Sequence, residues 1–412
     1  MSAPSVVGGA RAATASSRWI DAARWAAIVG ACTVMVSPPV ANAAIVVMLV
    51  CFFASGEALP RLRHAFTQPL AVGAVIVVAV VALGMLWADV PWIERWKAFY
   101  TWRKLWIIPV LLALFGPAVW KRRLLVGFVA VCVTAALVSF AMVASAGHLP
   151  KDQMDPAASV LRNHAAQSMA FATAAFISLW AATRGQLPAG QRWAAIAATS
   201  LLALNLAFVT PGRSGYLALA VMLGVLAVVG LRSWRGAALV AAAGILFAGA
   251  LAVSPVSRDR IDLALQELRA ARSATEISSM GIRVVMYETT LELVRQRPWL
   301  GVGSGGFGAA YAAKVQGKYD DWRARASTDP HNQYLFFLAE QGLLGLLAFL
   351  AFIALAAADR GDGGPTRIIA VGMLLAWCTT SMLSSHFQTF AEGHLLAFFL
   401  GAMLARPVVN SD

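Results

Sequence analysis

The 412-residue chain is 59% hydrophobic and only 13% charged, with a mean hydropathy of +0.70. Those values exclude a soluble globular domain and point to an all-α polytopic membrane protein. The formal charge is +13, but the basic residues sit in short clusters between apolar runs, a pattern that orients membrane helices and argues against nucleic-acid binding.

Residues 1–18 are small and polar, with Arg11 and Arg18, and read as a disordered cytoplasmic tail. The next stretch has the outline of a signal peptide, with Arg18 and Arg24 before an apolar core from Ala26 to Val36 and a cleavage-like Ala41-Asn42-Ala43. It is taken as an uncleaved first helix. With that run at 22–37, further apolar runs at 39–55, 69–87, 99–119, 124–146, 165–183, 194–209, 216–231, 237–253, 333–357, 368–384 and 393–405 give about twelve expected spans. Cys32, Cys51, Cys132 and Cys378 all fall inside these runs without metal-ligand spacing and read as buried thiols. Alternate connections carry Arg61 and Arg63, Lys121 to Arg123, Arg184 and Arg192, Arg232 and Arg235, Arg360 and Arg367, and finally Arg406. The positive-inside rule places these, and both termini, in the cytoplasm. The expected layout is therefore a tail over 1–18, helices 1–9 within 19–253, an outer loop over 254–331, helices 10–12 within 332–406 and a second tail over 407–412.

The outer loop is the one connection long enough to fold. Ser257 to Arg272 reads as an amphipathic helix, with Ile261, Leu265 and Leu268 on one face. A second helix is expected from Ile282 to Arg297, stopped by Pro298. Gly301-Val302-Gly303-Ser304-Gly305-Gly306 matches a dinucleotide fingerprint in form only, because no strand precedes it and no P-loop lysine follows. It reads as a flexible turn that lets backbone pack closely.

Several basic residues break the orientation rule. Arg103 and Lys104 start a span entering from the outer side, Arg162 precedes another, Arg213 lies in a short outer turn, and Arg283 opens the second loop helix. Cations there cost solvation energy unless paired or functional, so they predict a ligand of concentrated negative charge. The alternative for Arg103, Lys104 and Arg162 is pairing with Asp89, Glu94, Asp152 or Asp155. Trp87, Trp92, Trp96, Trp102 and Trp106 read as an interfacial aromatic belt. His164, His386, Glu392 and His394 lie near outer span ends without a motif.

At the end of the loop stands Asp329-Pro330-His331-Asn332, followed after nine residues by Gly342 and then by Gly345. This pattern resembles the signature of the bacterial O-antigen ligases, in the ligase and polymerase superfamily. Arg297-Pro298-Trp299-Leu300-Gly301-Val302-Gly303 is similar to a segment that often precedes that histidine motif. Arg213 and Arg283 look like the two arginines such ligases need, Arg103 and Lys104 resemble an early basic pair, and Arg162 matches more loosely.

The resemblance implies a glycosyltransferase C-type fold in the bacterial inner membrane and a periplasmic site. The implied donor is O-antigen polysaccharide on undecaprenyl pyrophosphate and the acceptor a sugar hydroxyl of lipid A–core, with membrane lipids as surroundings. His331 would be the general base, Asn332, Gly342 and Gly345 its support, and the basic residues the pyrophosphate ligands. No carboxylate is placed for a covalent intermediate, so inversion is expected. No Asp-x-Asp pair or nucleotide pocket is visible, and no metal or cofactor is expected. An O-antigen polymerase is the nearest alternative, since Arg213 and Gly224 have polymerase-like spacing. An O-linked protein oligosaccharyltransferase would carry an extra outer domain after its last spans, and a lipid-linked glycan flippase would line a two-sided cavity with its basic residues.

Overall fold

The computed structural model describes residues 6–148, 159–184, 186–210, 212–230, 233–270 and 279–407. These form eighteen α-helices, with no strand among the described residues. They begin with α1 (Val6–Thr33), α2 (Pro38–Ala54), α3 (Ala58–Ala65), α4 (Pro69–Gly84), α5 (Trp92–Thr101), α6 (Arg103–Leu114), α7 (Ala118–Ala146), α8 (His164–Thr183) and α9 (Ala189–Phe208). Then come α10 (Arg213–Val225), which runs on into a π turn (Leu226–Gly230), α11 (Trp234–Val253), α12 (Pro255–Ala270), α13 (Ser279–Gln296) and α14 (Phe307–Gln316). The chain closes with α15 (Gln333–Glu340), α16 (Gly342–Ala358), α17 (Arg367–Thr380) and α18 (Phe390–Leu404).

Local chemistry sets many of these boundaries. Prolines occupy the first turns of α2 and α4, where a missing N–H costs nothing. Asn163, Ser233 and Asn332 cap α8, α11 and α15 by accepting backbone N–H groups of the first turn. Each expected apolar run falls on a helix or a pair of helices. Among the described residues, Ala118–Ala146, His164–Thr183 and Trp234–Val253 are long and apolar enough to cross a membrane singly, and α2 with α3 is a candidate broken by a 110° bend. Five shorter apolar helices accompany them. Large apolar side chains such as Val46, Val50, Phe53, Ile245 and Leu246 point outward, as they do when the solvent is lipid. The architecture is that of an all-helical polytopic membrane protein.

Five expectations need correction. α1 begins at Val6, so helix extends into the stretch read as a disordered tail. The 99–119 run is divided between α5 and α6, and the 333–357 run breaks at Gln341 between α15 and α16. Trp102 does not belong to an aromatic belt, being buried against Phe337 with ring centroids 4.9 Å apart, whereas Trp92, Trp96 and Trp106 are exposed. Finally, the end of the molecule holding the 254–331 segment is built from two pieces of chain, because α5 and the turn before it pack there as well. Trp87 Nε1 donates to Leu300 O at 2.9 Å, and Ser304 N donates to Gly84 O at 3.0 Å.

Basic residues tie the opposite end together. Arg24 Nε donates to Leu114 O at 2.8 Å and Arg61 to Ala113 O at 3.4 Å, closing the end of α6. Lys121 is buried, with Nζ 2.7 Å from Asp362 Oδ2 and 2.9 Å from Ala405 O at the end of α18. Cations at helix C-termini satisfy orphan carbonyls and meet the negative end of the dipole. The clusters that suggested orientation are thus also helix caps.

The candidate site lies at the other end. α18 packs on α6, α4 on α16, and α10 between α8 and α17. A smaller core of Leu293, Phe307, Tyr311, Val315, Phe336 and Ala339 joins α13, α14 and α15 into a layer over this bundle.

Candidate active site

His331 is the one non-glycine residue with positive φ among the described residues, at +54°. Left-handed backbone is costly for most side chains, and histidine is among the few enriched there. The surroundings hold it. Asp329 Oδ1 accepts the His331 N–H at 2.8 Å, an Asx turn across Pro330. Asn332 Oδ1 caps α15 by accepting from Tyr334 N at 3.0 Å and Leu335 N at 3.1 Å, and Asn332 Nδ2 donates to Met382 O at 3.0 Å. Tyr287 of α13 donates to the same Met382 oxygen at 3.0 Å and lies 3.4 Å from the His331 carbonyl oxygen. The His331 side chain remains exposed.

The connection 381–389, between α17 and α18, holds this loop from below. Gln333 N donates to Ser381 O at 2.9 Å, Gln388 N to Gln333 Oε1 at 3.1 Å, and Ser385 Oγ to Asp329 Oδ1 at 2.6 Å. The same connection is held from α6 by Lys104. Its ammonium is buried and donates to the carbonyls of Phe387, Gln388 and Thr389. Lys104, expected among the pyrophosphate ligands, is therefore already engaged with three backbone carbonyls.

Arg103, its neighbour, is half-buried, with its guanidinium 4.3 Å from the Tyr100 ring and 5.2 Å from the Phe390 ring. Arg162 approaches the same Phe390 ring at 5.7 Å and is exposed. Two guanidiniums meet at one aromatic ring. Of the acidic partners expected for them, Glu94 pairs with Lys97 at 2.7 Å, and Asp152 and Asp155 lie outside the described residues.

Arg213 opens α10 and is half-buried. A methyl group added at Gly212 or Gly215 would come within 2.3 Å or 2.5 Å of the Ser168 Cβ, so these glycines let the start of α10 lie directly against the start of α8. Arg213 is thereby placed beside the segment that carries Arg162. Arg283 lies one turn before Tyr287 on α13 and acts on the Tyr287 hydroxyl through its charge. The structure brings Asn332 and Tyr287 onto Met382 O, with His331 beside Tyr287, and Arg103 with Arg162 around Phe390. Both groups rest on the 381–390 segment.

Gly342 and Gly345 stand apart from the chemistry. Gly342 has φ +64°, and a Cβ there would meet the Trp299 carbonyl carbon at 2.3 Å. Gly345 would collide with the Gln341 side chain at 2.3 Å. They shape the break between α15 and α16. The glycine-rich turn docks against that break and is pinned, not flexible: Val302 N donates to Ala339 O at 2.9 Å and Gly303 N to Glu340 O at 2.7 Å. The Glu340 carboxylate accepts from Gly305 N at 2.9 Å.

Residues 198–350 match the model of a family described as O-antigen ligase. This match covers only part of the chain and supports a member of the O-antigen ligase and polymerase superfamily. No curated protein is significantly similar to it. The O-antigen ligase match spans Arg213, Arg283, His331, Gly342 and Gly345, while Arg103, Lys104, Arg162 and the 381–390 segment lie outside it.

Sequence reasoning passed over Tyr287 and Ser385, and noted His386 only as lying near an outer span end without a motif. His386 is 2% exposed and neither ring nitrogen has a hydrogen-bond partner. Burial pushes its pKa down, while Glu392 and Asp329 act against that shift and His331 with it. The Asp-Pro-His turn was a usable signal for Asp329; nothing local marks the other three.

Proposed function

We propose that the protein is an O-antigen ligase of the bacterial inner membrane with about twelve spans, both termini in the cytoplasm and a periplasmic active site. It moves O-antigen polysaccharide from undecaprenyl pyrophosphate to a sugar hydroxyl of lipid A–core. The superfamily supports lipid-linked glycans as substrates. The observation that carries the reading is His331, held at φ +54° by Asp329 and Tyr287 and exposed, with Arg283 one turn before Tyr287 on α13.

In this reading His331 takes the proton of the acceptor hydroxyl as its oxygen attacks the anomeric carbon. The bond to the pyrophosphate oxygen breaks, and the leaving group departs as an anion with inversion at carbon. Arg213, Arg283, Arg103 and Arg162 stabilise that charge, guanidinium forks being suited to phosphoryl oxygens. Two guanidiniums against the Phe390 ring form a site that gains from an anion, which supports this assignment. Lys104 contributes indirectly, by fixing the Phe387–Thr389 backbone. Positive charge comes from side chains, so we propose that transfer needs no metal.

The polymerase alternative drew on the spacing of Arg213 and Gly224. A Cβ at Gly224 would have nothing within 4 Å, so packing does not require glycine there. The deciding experiment incubates purified protein with undecaprenyl-pyrophosphate-linked polysaccharide and lipid A–core in EDTA, comparing wild type with His331→Ala. Core-linked ladders from wild type alone are expected. Lengthening of the lipid-linked glycan without core-linked product would replace the ligase by the polymerase, and loss of product in EDTA would refute metal independence.

A further inference from the structure

Resting on the ligase reading, we infer that the cleft beside His331 is an acceptor subsite for an anionic sugar, with Trp322 as its stacking platform and Arg325 as its charge reader. The cleft has a volume of about 470 Å³ and is lined by Met286, Tyr311, Trp322, Arg325, Thr328 and His331 among others. That size falls in the range of roughly 300–1,000 Å³ of small-ligand sites. His331 is the one residue shared between this lining and the group gathered on the 381–390 segment.

Displacement chemistry assigns the two sides. Attack with inversion needs the nucleophile and the leaving group on opposite faces of the anomeric carbon. The base must touch the nucleophile, and the arginines must touch the leaving group. α13 is split accordingly: Ile282, Val285 and Met286 line the cleft, while Tyr287 reaches Met382 on the other side, with Arg283 one turn before it. A molecule in the cleft therefore reaches His331 over a different face of α13 from the one that carries Arg283 and Tyr287.

The lining also selects a chemistry. A half-buried Trp322 offers an aromatic face, on which the C–H side of a pyranose packs. Arg323 is committed, forking Asp321 at 2.7 and 3.0 Å and lying over the Tyr319 ring at 4.7 Å. Arg325, exposed two residues on, has no side-chain partner among the described residues. Ser327 Oγ is turned to the Asp329 carbonyl at 2.8 Å and shapes the wall next to His331. A sugar carrying a phosphate or a carboxylate satisfies both open groups at once.

The test measures binding of lipid A–core to the full-length protein in detergent, apart from turnover, for wild type, Trp322→Ala, Trp322→Phe, Arg325→Ala and Arg325→Lys. At least tenfold weaker binding is expected for both alanine variants, with most of it restored by phenylalanine and lysine. Arg213→Ala should instead weaken binding of the undecaprenyl-pyrophosphate-linked glycan. Two further arms use lipid A–core stripped of phosphate and lipid A–core with its carboxylates reduced; one of them must reproduce the loss seen with Arg325→Ala. Alanine variants that bind within twofold of wild type, or full binding in both chemical arms, would overturn the subsite. Wild-type protein that binds no lipid A–core at all would overturn the ligase reading, and if it then binds a second lipid-linked glycan through Trp322 and Arg325, the subsite stands with a different acceptor.

Discussion

The hydroxyl of Ser385 donates to Oδ1 of Asp329 at 2.6 Å, and that same oxygen accepts the backbone N–H of His331 at 2.8 Å. One carboxylate oxygen thus couples the α17–α18 connection to the residue proposed as base. Asp329 is in this sense a positioning residue. Asp329→Ala should lower kcat about 10- to 100-fold, since small misplacement of a base is costly, with little change in the KM for donor. Ser385→Ala should have a smaller effect of the same kind. A rise in donor KM with kcat intact would place Asp329 at the pyrophosphate instead.

The backbone and the ring of His331 can be tested separately. Asparagine also tolerates left-handed backbone but cannot act as a base, so His331→Asn should keep the wild-type unfolding temperature and lose transfer by ~100-fold or more. If His331→Asn transfers at near the wild-type rate, His331 is a structural turn residue and the proposed mechanism fails.

How much of this was legible from the chain depended on range. Asp329-Pro330-His331-Asn332 is a local code, in which Asx turn, left-handed residue and N-cap follow one another, and the histidine could be singled out from it. The helical runs were equally readable, because apolar length is local. The breaks at Trp102 and Gln341 were not, since the polar residues beside them are too few to end an apolar run and the partners packed there, Phe337 and Trp299, are distant in sequence. Lys104 misled for the same reason: a lysine at a span start looks like a ligand cation until the carbonyls of Phe387 to Thr389, almost three hundred positions on, are seen against it. His386 and Ser385 carry no local signal and become visible only when the Asp329 turn is set down on them.

Lys104 and Arg103 should therefore separate in experiment. Lys104→Met removes a donor from three backbone carbonyls, of which Thr389 O keeps Gly393 N at 3.2 Å, and lost donors to buried acceptors cost about 1–3 kcal/mol each. A clear drop in thermal stability is expected, with transfer lost as a consequence. Arg103→Ala, at a half-buried surface position, should keep the stability and raise the donor KM. The reverse pattern, stable Lys104→Met with weak donor binding, would return Lys104 to the pyrophosphate.

Gly342 and Gly363 both have positive φ, +64° and +69°, but only Gly342 is crowded, by Trp299 backbone at 2.3 Å. Gly363→Ala should cost about 1 kcal/mol for the backbone alone. Gly342→Ala must also push Trp299 away and uncouple Leu343 N from Pro298 O, a bond of 2.8 Å. Its unfolding temperature should fall well below that of Gly363→Ala, and equal losses would show that the α15–α16 break yields easily.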